Sequence, residues 1–440
     1  MNYNRFFYSG MVLLISLTGL KAQTKLLSET PHSGEVFHYQ IQSEVNGKIQ
    51  IIKDGKKNPS AIQATNNHEF DEIILQEGNE GIRKSARYYR TAKSKSDMGG
   101  QLRSRELRKD RSFIVAQKNN SELLTYSPSG PLMRSEVELT AEHFDTLIFC
   151  GIMPGKEVAV GNSWKISNNV AQGLCQFEGL IKQDISVTFQ EIKEGKAILK
   201  ISGTASGIDL GAMAKLTVQG IASFDLLKNR LMRLEWQQKD ERDQGPASPA
   251  SEVEVKTIVT RQLLSETPKE LDKVALTAIP SEEQPNELLK QLLFKDKQGR
   301  YQLLHAREWQ LVGQTDTHAI LRLLERGDFI AQASLTWWKK YPAGQHIPVE
   351  EFKKQIAINP PWDMEEIIEA GEIPSDHGRW IYRIVARGSI DGLKVVQNIY
   401  AIAGPKGDHL IVTVTMKSAN AVKINTRDLS LVTSIEFKDQ

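Results

Sequence analysis

The chain has 440 residues, of which 40% are hydrophobic and 25% are charged, and its formal net charge is +2. Such a composition is typical of a soluble globular protein, and the length predicts two or three domains. The near-zero net charge excludes a general attraction to nucleic acid or to anionic membranes. With only two cysteines, a framework of disulfides is excluded as well.

The N-terminus has the features of an export signal. Arg5 supplies a positive charge, residues 11–20 form a short apolar run, and Ala22 lies at a small-residue cleavage edge. The apolar run is too short to span a bilayer, and no later segment is apolar enough to do so. We therefore predict a signal peptide over residues 1–22 and a mature protein that is periplasmic or extracellular, soluble and not membrane-spanning. The alternative is a buried N-terminal helix.

Residues 23–263 are predicted to form a large antiparallel β domain. Glu35–Val45 alternates apolar and polar residues, Asn46-Gly47 is a strong hairpin signal, and Lys48–Ile52 is the predicted returning strand. Many further short strands follow, separated by turns and with little helix between them. This pattern is typical of a sandwich or a curved open barrel.

Basic residues are concentrated between Gly81 and Arg111, where eleven basic and three acidic residues give a local charge of +8. One interpretation is an anion-binding face for phosphate head groups or an acidic envelope polymer. The other is the solvated face of two strands with a loop around Met98–Gly100. Nucleic acid is not an expected partner of an exported protein. The candidate anion-binding residues are Arg83, Lys84, Arg87, Arg90, Arg103 and Arg105.

The segment His143–Ile166 is the most distinctive stretch of the β region. Met153–Gly155 predicts a turn, Lys156–Val160 a short strand, and Trp164 an aromatic anchor after a second turn. Gly151–Lys156 superficially has the form of a phosphate-binding loop, but its spacing is one residue short and its proline removes a needed N–H. We interpret the segment as a structural corner, with no nucleotide cofactor.

Cys150 and Cys175 lie 25 residues apart, and two states are open to them. Export permits a disulfide between neighbouring strands. Two buried free thiols are equally compatible with the sequence.

Residues 264–290 hold three prolines and are predicted to be a linker or a loosely packed arm. After this stretch the sequence pattern changes, and residues 291–440 are predicted to form a mixed α/β domain. Strands are predicted throughout, together with a helix over Pro348–Ile356, whose proline is suited to a first helical turn. The whole chain is thus predicted to be an α+β multidomain protein.

The C-terminal third resembles a known family. Gly299–Tyr301, Trp309, a mid-domain helix, three meander strands and a closing helix that ends in Ser-Ile-Glu-Phe (434–437) are similar to the PsbP-like α/β/α sandwich. The resemblance covers about a third of the chain and implies a partner-binding or stabilising module without catalytic residues. The segment 154–164 is similar to segments of exported bacterial proteins of unknown function.

Residues suited to chemistry are scattered. The nine histidines have no metal-ligand spacing, and the Gly-x-Ser-x-Gly motif of many hydrolases is absent, so no metal, cofactor or catalytic residue is predicted. Carboxylates on the β-domain loops are the basis of a less favoured hydrolase hypothesis, because two carboxyls can cleave a glycoside. These are Glu235, Asp240, Glu241 and Asp243.

Aromatic residues are frequent in the C-terminal domain. Trp337, Trp338 and Tyr341 are candidates for a surface that binds a partner or carbohydrate, and the alternative is a domain core. The adjacent tryptophans are expected to point to opposite faces of a strand. The sequence favours a non-enzymatic exported protein that acts in binding or assembly at the cell envelope. The alternative is a carrier that holds a lipid or other apolar ligand in its curved sheet.

Overall fold

The computed structural model describes residues 24–53, 56–78, 81–119, 122–141, 145–280, 284–357, 361–376 and 378–438. The predicted signal peptide, residues 1–22, lies outside the described residues, as does the start of the distinctive segment at His143. No helix in the described ranges is long and apolar enough to cross a membrane.

The first part of the chain is built from long antiparallel strands. Short helices interrupt them, namely a 3-10 helix (Lys109–Arg111), α1 (Arg134–Ala141), a second 3-10 helix (Thr146–Ile152) and α2 (Asn168–Cys175). The strands are β1 (Thr24–Leu27), β2 (Val36–Lys53), β3 (Lys56–Gly78), β4 (Gly81–Met98), β5 (Gln101–Glu106), β6 (Phe113–Asn119), β7 (Glu122–Tyr126), β8 (Lys156–Ala159), β9 (Ser163–Lys165), β10 (Gly179–Gln183), β11 (Ser186–Lys193), β12 (Lys196–Asp209), β13 (Ala212–Asp225), β14 (Arg230–Arg242) and β15 (Ser251–Leu263).

Within the described residues, thirteen of these strands form one open sheet. Its main order is β7-β6-β4-β3-β2-β15-β14-β13-β12-β11-β9, with β5 paired to β4 and β10 paired to β12. The remaining two strands, β1 and β8, pair with each other. The prediction of a large antiparallel β region is therefore confirmed, and none of the described sheets closes on itself.

The predicted hairpin at Asn46-Gly47 is wrong, because β2 runs straight through it. Gly47 is flanked by a paired strand on each side and lies opposite Ile62 and Val253. A Cβ atom at this position would lie 2.2 Å from the carbonyl oxygen of Glu252. Glycine is required here because the neighbouring backbone approaches closely, and long pairing on both sides outweighs the local turn preference.

Alternate residues of the sheet point to an inner face that is filled by the chain itself. The central segment, Asp145–Phe177, lies against this face, with Leu147, Phe149 and Ile152 almost fully buried. They pack in one cluster with strand residues such as Phe37 and Leu199. The inner face of the sheet is consequently covered by a packed core.

Local hydrogen bonds explain how the central segment folds. The Asp145 side chain accepts from the backbone N–H of Leu147 at 3.1 Å and begins the 3-10 helix. Ser167 caps α2 by accepting from the N–H of Val170 at 3.3 Å. Trp164 Nε1 donates to the carbonyl of Ile152 at 2.9 Å, so the predicted aromatic anchor joins the two parts of the segment.

The predicted linker, residues 264–290, is partly packed against the outer face of the sheet. It contains a 3-10 helix (Lys269–Leu271), α3 (Lys273–Leu276) and α4 (Glu287–Lys290). Leu271 is fully buried in a cluster with Val36, Ile73 and Ala86. This leucine covers apolar residues of β2, β3 and β4, and the assignment of residues 264–290 as a linker stays a prediction.

The C-terminal region contains two sheets and three helices in the described residues. A seven-stranded sheet has the order β18-β19-β20-β24-β23-β22-β21, beside a small sheet of β16, β17 and β25. The elements are β16 (Leu292–Lys295), β17 (Tyr301–His305), β18 (Trp309–Gln314), β19 (His318–Glu325), β20 (Asp328–Trp337), α5 (Val349–Ala357), β21 (Trp362–Glu372), β22 (Trp380–Ile390), β23 (Leu393–Ala403), β24 (His409–Lys417), a 3-10 helix (Ser418–Asn420), α6 (Ala421–Ile424), α7 (Arg427–Thr433) and β25 (Glu436–Phe437).

Helices cover both faces of the seven-stranded sheet. Phe352 and Ile356 of α5 pack on one face with Ile384. Ile424 of α6 and Leu431 of α7 pack on the opposite face. The helix predicted over 348–356 is confirmed, whereas the acidic edge strand β21 was not predicted.

Candidate functional site

The basic run is largely neutralised by carboxylates. Arg87 is 1% exposed and its Nε donates to Glu72 at 2.5 Å, deep in the inner core. Arg90 lies on the other face and donates to the buried Asp71 at 2.5 Å. Arg105 pairs with Glu138 of α1 at 2.8 Å. Three of the six predicted anion-binding residues thus already bind acidic groups of the same chain.

Arg87 also connects the sheet to the central segment. Its Nη2 donates to the hydroxyl of Thr146 at 2.7 Å, and Ser85 donates to the same carboxylate of Glu72. Burial alone would lower the pKa of Arg87, but the charge of Glu72 raises it above its ordinary value. The guanidinium is therefore a permanent structural cation, which the sequence interpretation as an anion site missed.

The other three predicted residues lie in different surroundings. Arg83 has an interaction partner. Lys84 is partly buried, and burial lowers its pKa. Arg103 lies on the fully exposed strand β5, beside a pocket on the sheet.

This pocket has a volume of about 500 Å³ and lies at the end of β2–β5. Eight of its residues form two cross-strand rows on the outer face of the sheet. The rows are Glu44, Thr65, Lys95, Ser104 and Asn46, Gln63, Asp97, Leu102. The pocket is lined by two acidic side chains, Glu44 and Asp97, and two basic ones, Lys95 and Arg103, so its lining has no excess of positive charge.

The three predicted partner-surface residues are split between two faces. Trp337 stacks on Tyr301 with ring centroids 6.1 Å apart, and the guanidinium of Arg300 lies 4.5 Å from its ring centroid. It is therefore a packing residue of the small sheet. Tyr341 lies in the loop after β20 and packs against the cluster on the opposite face. Trp338 directly follows the last residue of β20.

An aromatic corner on this face consists of Tyr341, His346, Trp380 and Tyr382, and beside it the backbone N–H of Trp338 donates to the carbonyl of His409 at 2.9 Å. The rings of His346 and Trp380 stack with centroids 3.7 Å apart, and Trp380 stacks on Tyr382 at 5.8 Å. The sequence did not indicate that His346 belongs to this group, because the loop after β20 brings it there.

His409 holds this loop against the sheet. Its Nδ1 donates to the carbonyl of Gly407 at 2.9 Å, and its Nε2 accepts from the N–H of Ile347 at 3.3 Å. Burial lowers the pKa of His409, which keeps the ring neutral and allows it both to donate and to accept. Its ring also contacts Tyr341, with centroids 4.6 Å apart.

Both cysteines are free thiols. Cys150 lies in the 3-10 helix of the central segment, and Cys175 ends α2. Burial raises the pKa of each thiol to about 12. Of the two alternatives that the sequence left open, the structure has the free thiols and not the disulfide.

The carboxylates of the hydrolase hypothesis do not converge. Asp240 faces inward opposite the core residue Leu216, whereas Glu241 is exposed on the other face. Glu235 is paired with Arg233 at 2.8 Å. Burial raises the pKa of Asp240 to about 6. Across the described ranges no group of three or more His, Cys, Asp or Glu is arranged to hold a metal ion.

Comparison with known proteins does not assign a family. No family model and no curated protein matches the chain. Cyanobacterial PsbP from Synechocystis sp. PCC 6803 is similar over 34% of this chain and 93% of its own, with 13% identity and a TM-score of 0.26. A Bacteroides thetaiotaomicron structure is similar over 34% of this chain and 48% of its own, with 7% identity and a TM-score of 0.24. A lipovitellin structure is similar over 54% of this chain and 26% of its own, with 8% identity and a TM-score of 0.31.

Proposed function

We propose that the chain is an exported, non-enzymatic protein that acts in binding or assembly at the cell envelope. The observation that carries this proposal is the packing of the central segment into the inner face of the large sheet. A sheet whose interior is filled by its own side chains meets other molecules through its outer surface. The partner is a protein or an envelope polymer.

The aromatic corner is the proposed contact surface. Tryptophan and tyrosine provide large contact area at little entropic cost and are enriched in interfaces. Trp338 and Tyr341 are half-buried, so their rings are held in place while part of each remains accessible. The neighbouring Lys339 and Lys340 are exposed and supply a polar rim.

The C-terminal region supports the same proposal. Its antiparallel sheet with helices on both faces agrees with the PsbP-like α/β/α sandwich that the sequence resembles. That resemblance implies a module that binds or stabilises other proteins. Export is proposed from the signal-like residues 1–22.

The carrier alternative receives less support. An apolar ligand needs an internal cavity, and the central segment occupies the inner face where such a cavity would lie. The hydrolase alternative needs two carboxyls that flank a substrate, and Asp240 and Glu241 point to opposite faces.

Cosedimentation of the mature protein with a purified envelope fraction tests the proposal. We expect the wild type to cosediment and the double variant Trp338→Ala/Tyr341→Ala to bind at least about tenfold more weakly. Leu227→Ala is the matched control, because Leu227 is 90% exposed on the turn between β13 and β14. Failure of the wild type to cosediment, or equal binding by the double variant, would contradict the proposal.

A further inference from the structure

Two arginines connect the large sheet to the C-terminal region. Arg134 begins α1, and its Nη2 donates across the junction to the carbonyls of Arg307 and, at 3.1 Å, Trp309. Arg307 lies between β17 and β18. It donates from Nε to the carbonyl of Lys290 at 2.9 Å and from Nη2 to the carbonyl of Thr125 at 2.6 Å.

Neither guanidinium has an acidic partner among the residues that the structure describes. In the described chain, neither lies within the 4.0 Å ion-pair distance of a carboxylate. The nearest acids that influence Arg134 are Glu138 and Glu308, and Glu138 is already paired with Arg105. Neutral carbonyl oxygens are thus the only described acceptors of both side chains. This is unusual, because partly buried arginines are normally paired with carboxylates.

The surroundings make the positive charge at this junction costly. Burial and the charge of Arg134 together lower the pKa of Arg307 to about 10, although the charge of Glu308 raises it. His305 is 3% exposed, and burial together with the two arginines lowers its pKa to about 4. The junction therefore holds two guanidiniums that repel each other beside a neutral imidazole.

Unused hydrogen-bonding groups remain at the same place. Nε of Arg134 is buried without an acceptor, and Nη1 of neither arginine donates to a described group. On β7, the hydroxyls of Thr125 and Tyr126 are also buried without a partner. Thr125 is the residue whose carbonyl accepts from Arg307, so an unused hydroxyl belongs to a residue in contact with the arginine pair.

We propose that this junction binds an oxyanion of the phosphate class between Arg134 and Arg307. A tetrahedral oxyanion presents several acceptors to the forked donors of two guanidiniums and neutralises their repulsion. Because one arginine comes from each region, the bound anion links the large sheet to the C-terminal region. The site lies away from the aromatic corner and does not depend on the proposed function.

Isothermal titration calorimetry of inorganic phosphate into the wild-type protein tests the site. We expect saturable binding and a melting temperature that rises with phosphate concentration, with no rise in potassium chloride of matched ionic strength. Glycerol 3-phosphate is the second probe. Binding of inorganic phosphate alone identifies the free ion as the ligand, and binding of both identifies a site open to phosphorylated molecules.

Variants then locate the binding. Arg134→Gln should abolish the phosphate-dependent rise in melting temperature. Arg322→Gln is the matched control, because Arg322 also crosses the junction by donating to the carbonyl of Pro246 but contacts Gln332 on its own side. Arg322→Gln should retain the full phosphate-dependent rise in melting temperature even if its melting temperature without phosphate is lower than that of the wild type. Absence of binding heat to the wild type, or an equal rise in Arg134→Gln, would overturn the proposal, and the wild-type titration decides even if the variant does not fold.

Discussion

The buried pair of Glu72 and Arg87 holds the central segment against the sheet, and removing one partner should lower the free energy of unfolding. Glu72 is 0% exposed and Arg87 is 1% exposed, with 2.5 Å between the paired atoms. Glu72→Gln leaves a buried guanidinium without its counter-charge, which costs about 3–5 kcal/mol. Since domains are stable by about 5–15 kcal/mol, this loss is a large part of the total.

Guanidinium chloride denaturation followed by circular dichroism measures the effect as a change in the free energy of unfolding. The double variant Glu72→Leu/Arg87→Met removes both charges and should be less destabilised than Glu72→Gln. Glu106→Gln is the control, because Glu106 pairs with Lys93 on an exposed part of β4 and its loss should cost at most about 1 kcal/mol. Two results would refute the reasoning. One is a Glu72→Gln variant whose free energy of unfolding lies within about 1 kcal/mol of the wild type. The other is a double variant that is destabilised at least as much as Glu72→Gln.

Three further predictions concern individual residues. Because the pKa of Asp240 is raised from 3.8 to about 6, the fold loses stability as the pH rises through this range, by about 3 kcal/mol in all at neutral pH. Asp240→Asn should therefore be more stable than the wild type in denaturation curves near pH 7.5 and equal to it near pH 4, and equal stabilities at both would contradict this. Cys150 and Cys175 should resist a thiol reagent at about pH 8 in the native protein and both react after denaturation, since burial keeps them protonated; two unreactive residues after denaturation would indicate a disulfide. Gly47→Ala should lower stability by about 1–3 kcal/mol, because its Cβ would meet a carbonyl oxygen, whereas Gly371→Ala meets nothing within 4 Å and should change stability little.

Local patterns were sufficient for much of the architecture. Alternation predicted the strands, and the Pro-Gly turn and Trp164 correctly defined the corner in the central segment. Asn46-Gly47 was misleading because a strand paired along both sides continues through a turn sequence. The edge strand β21 was missed because its glutamates obscure the apolar alternation, as charges on edge strands commonly do.

Contacts between distant parts of the chain could not be predicted. The basic run appeared to be a free cationic face because its acidic partners, including Glu72 and Glu138, lie elsewhere in the sequence. That Trp337 would be covered could not be predicted from the sequence either, because Tyr301, which packs on it, belongs to another strand.

Native mass spectrometry of the purified mature protein tests the central claim most directly, namely that the chain fills the inner face of its own sheet. If the central segment occupies that face, the folded protein should show the mass of the polypeptide without an apolar ligand. A stoichiometric lipid that leaves only on denaturation would contradict the account and favour a carrier.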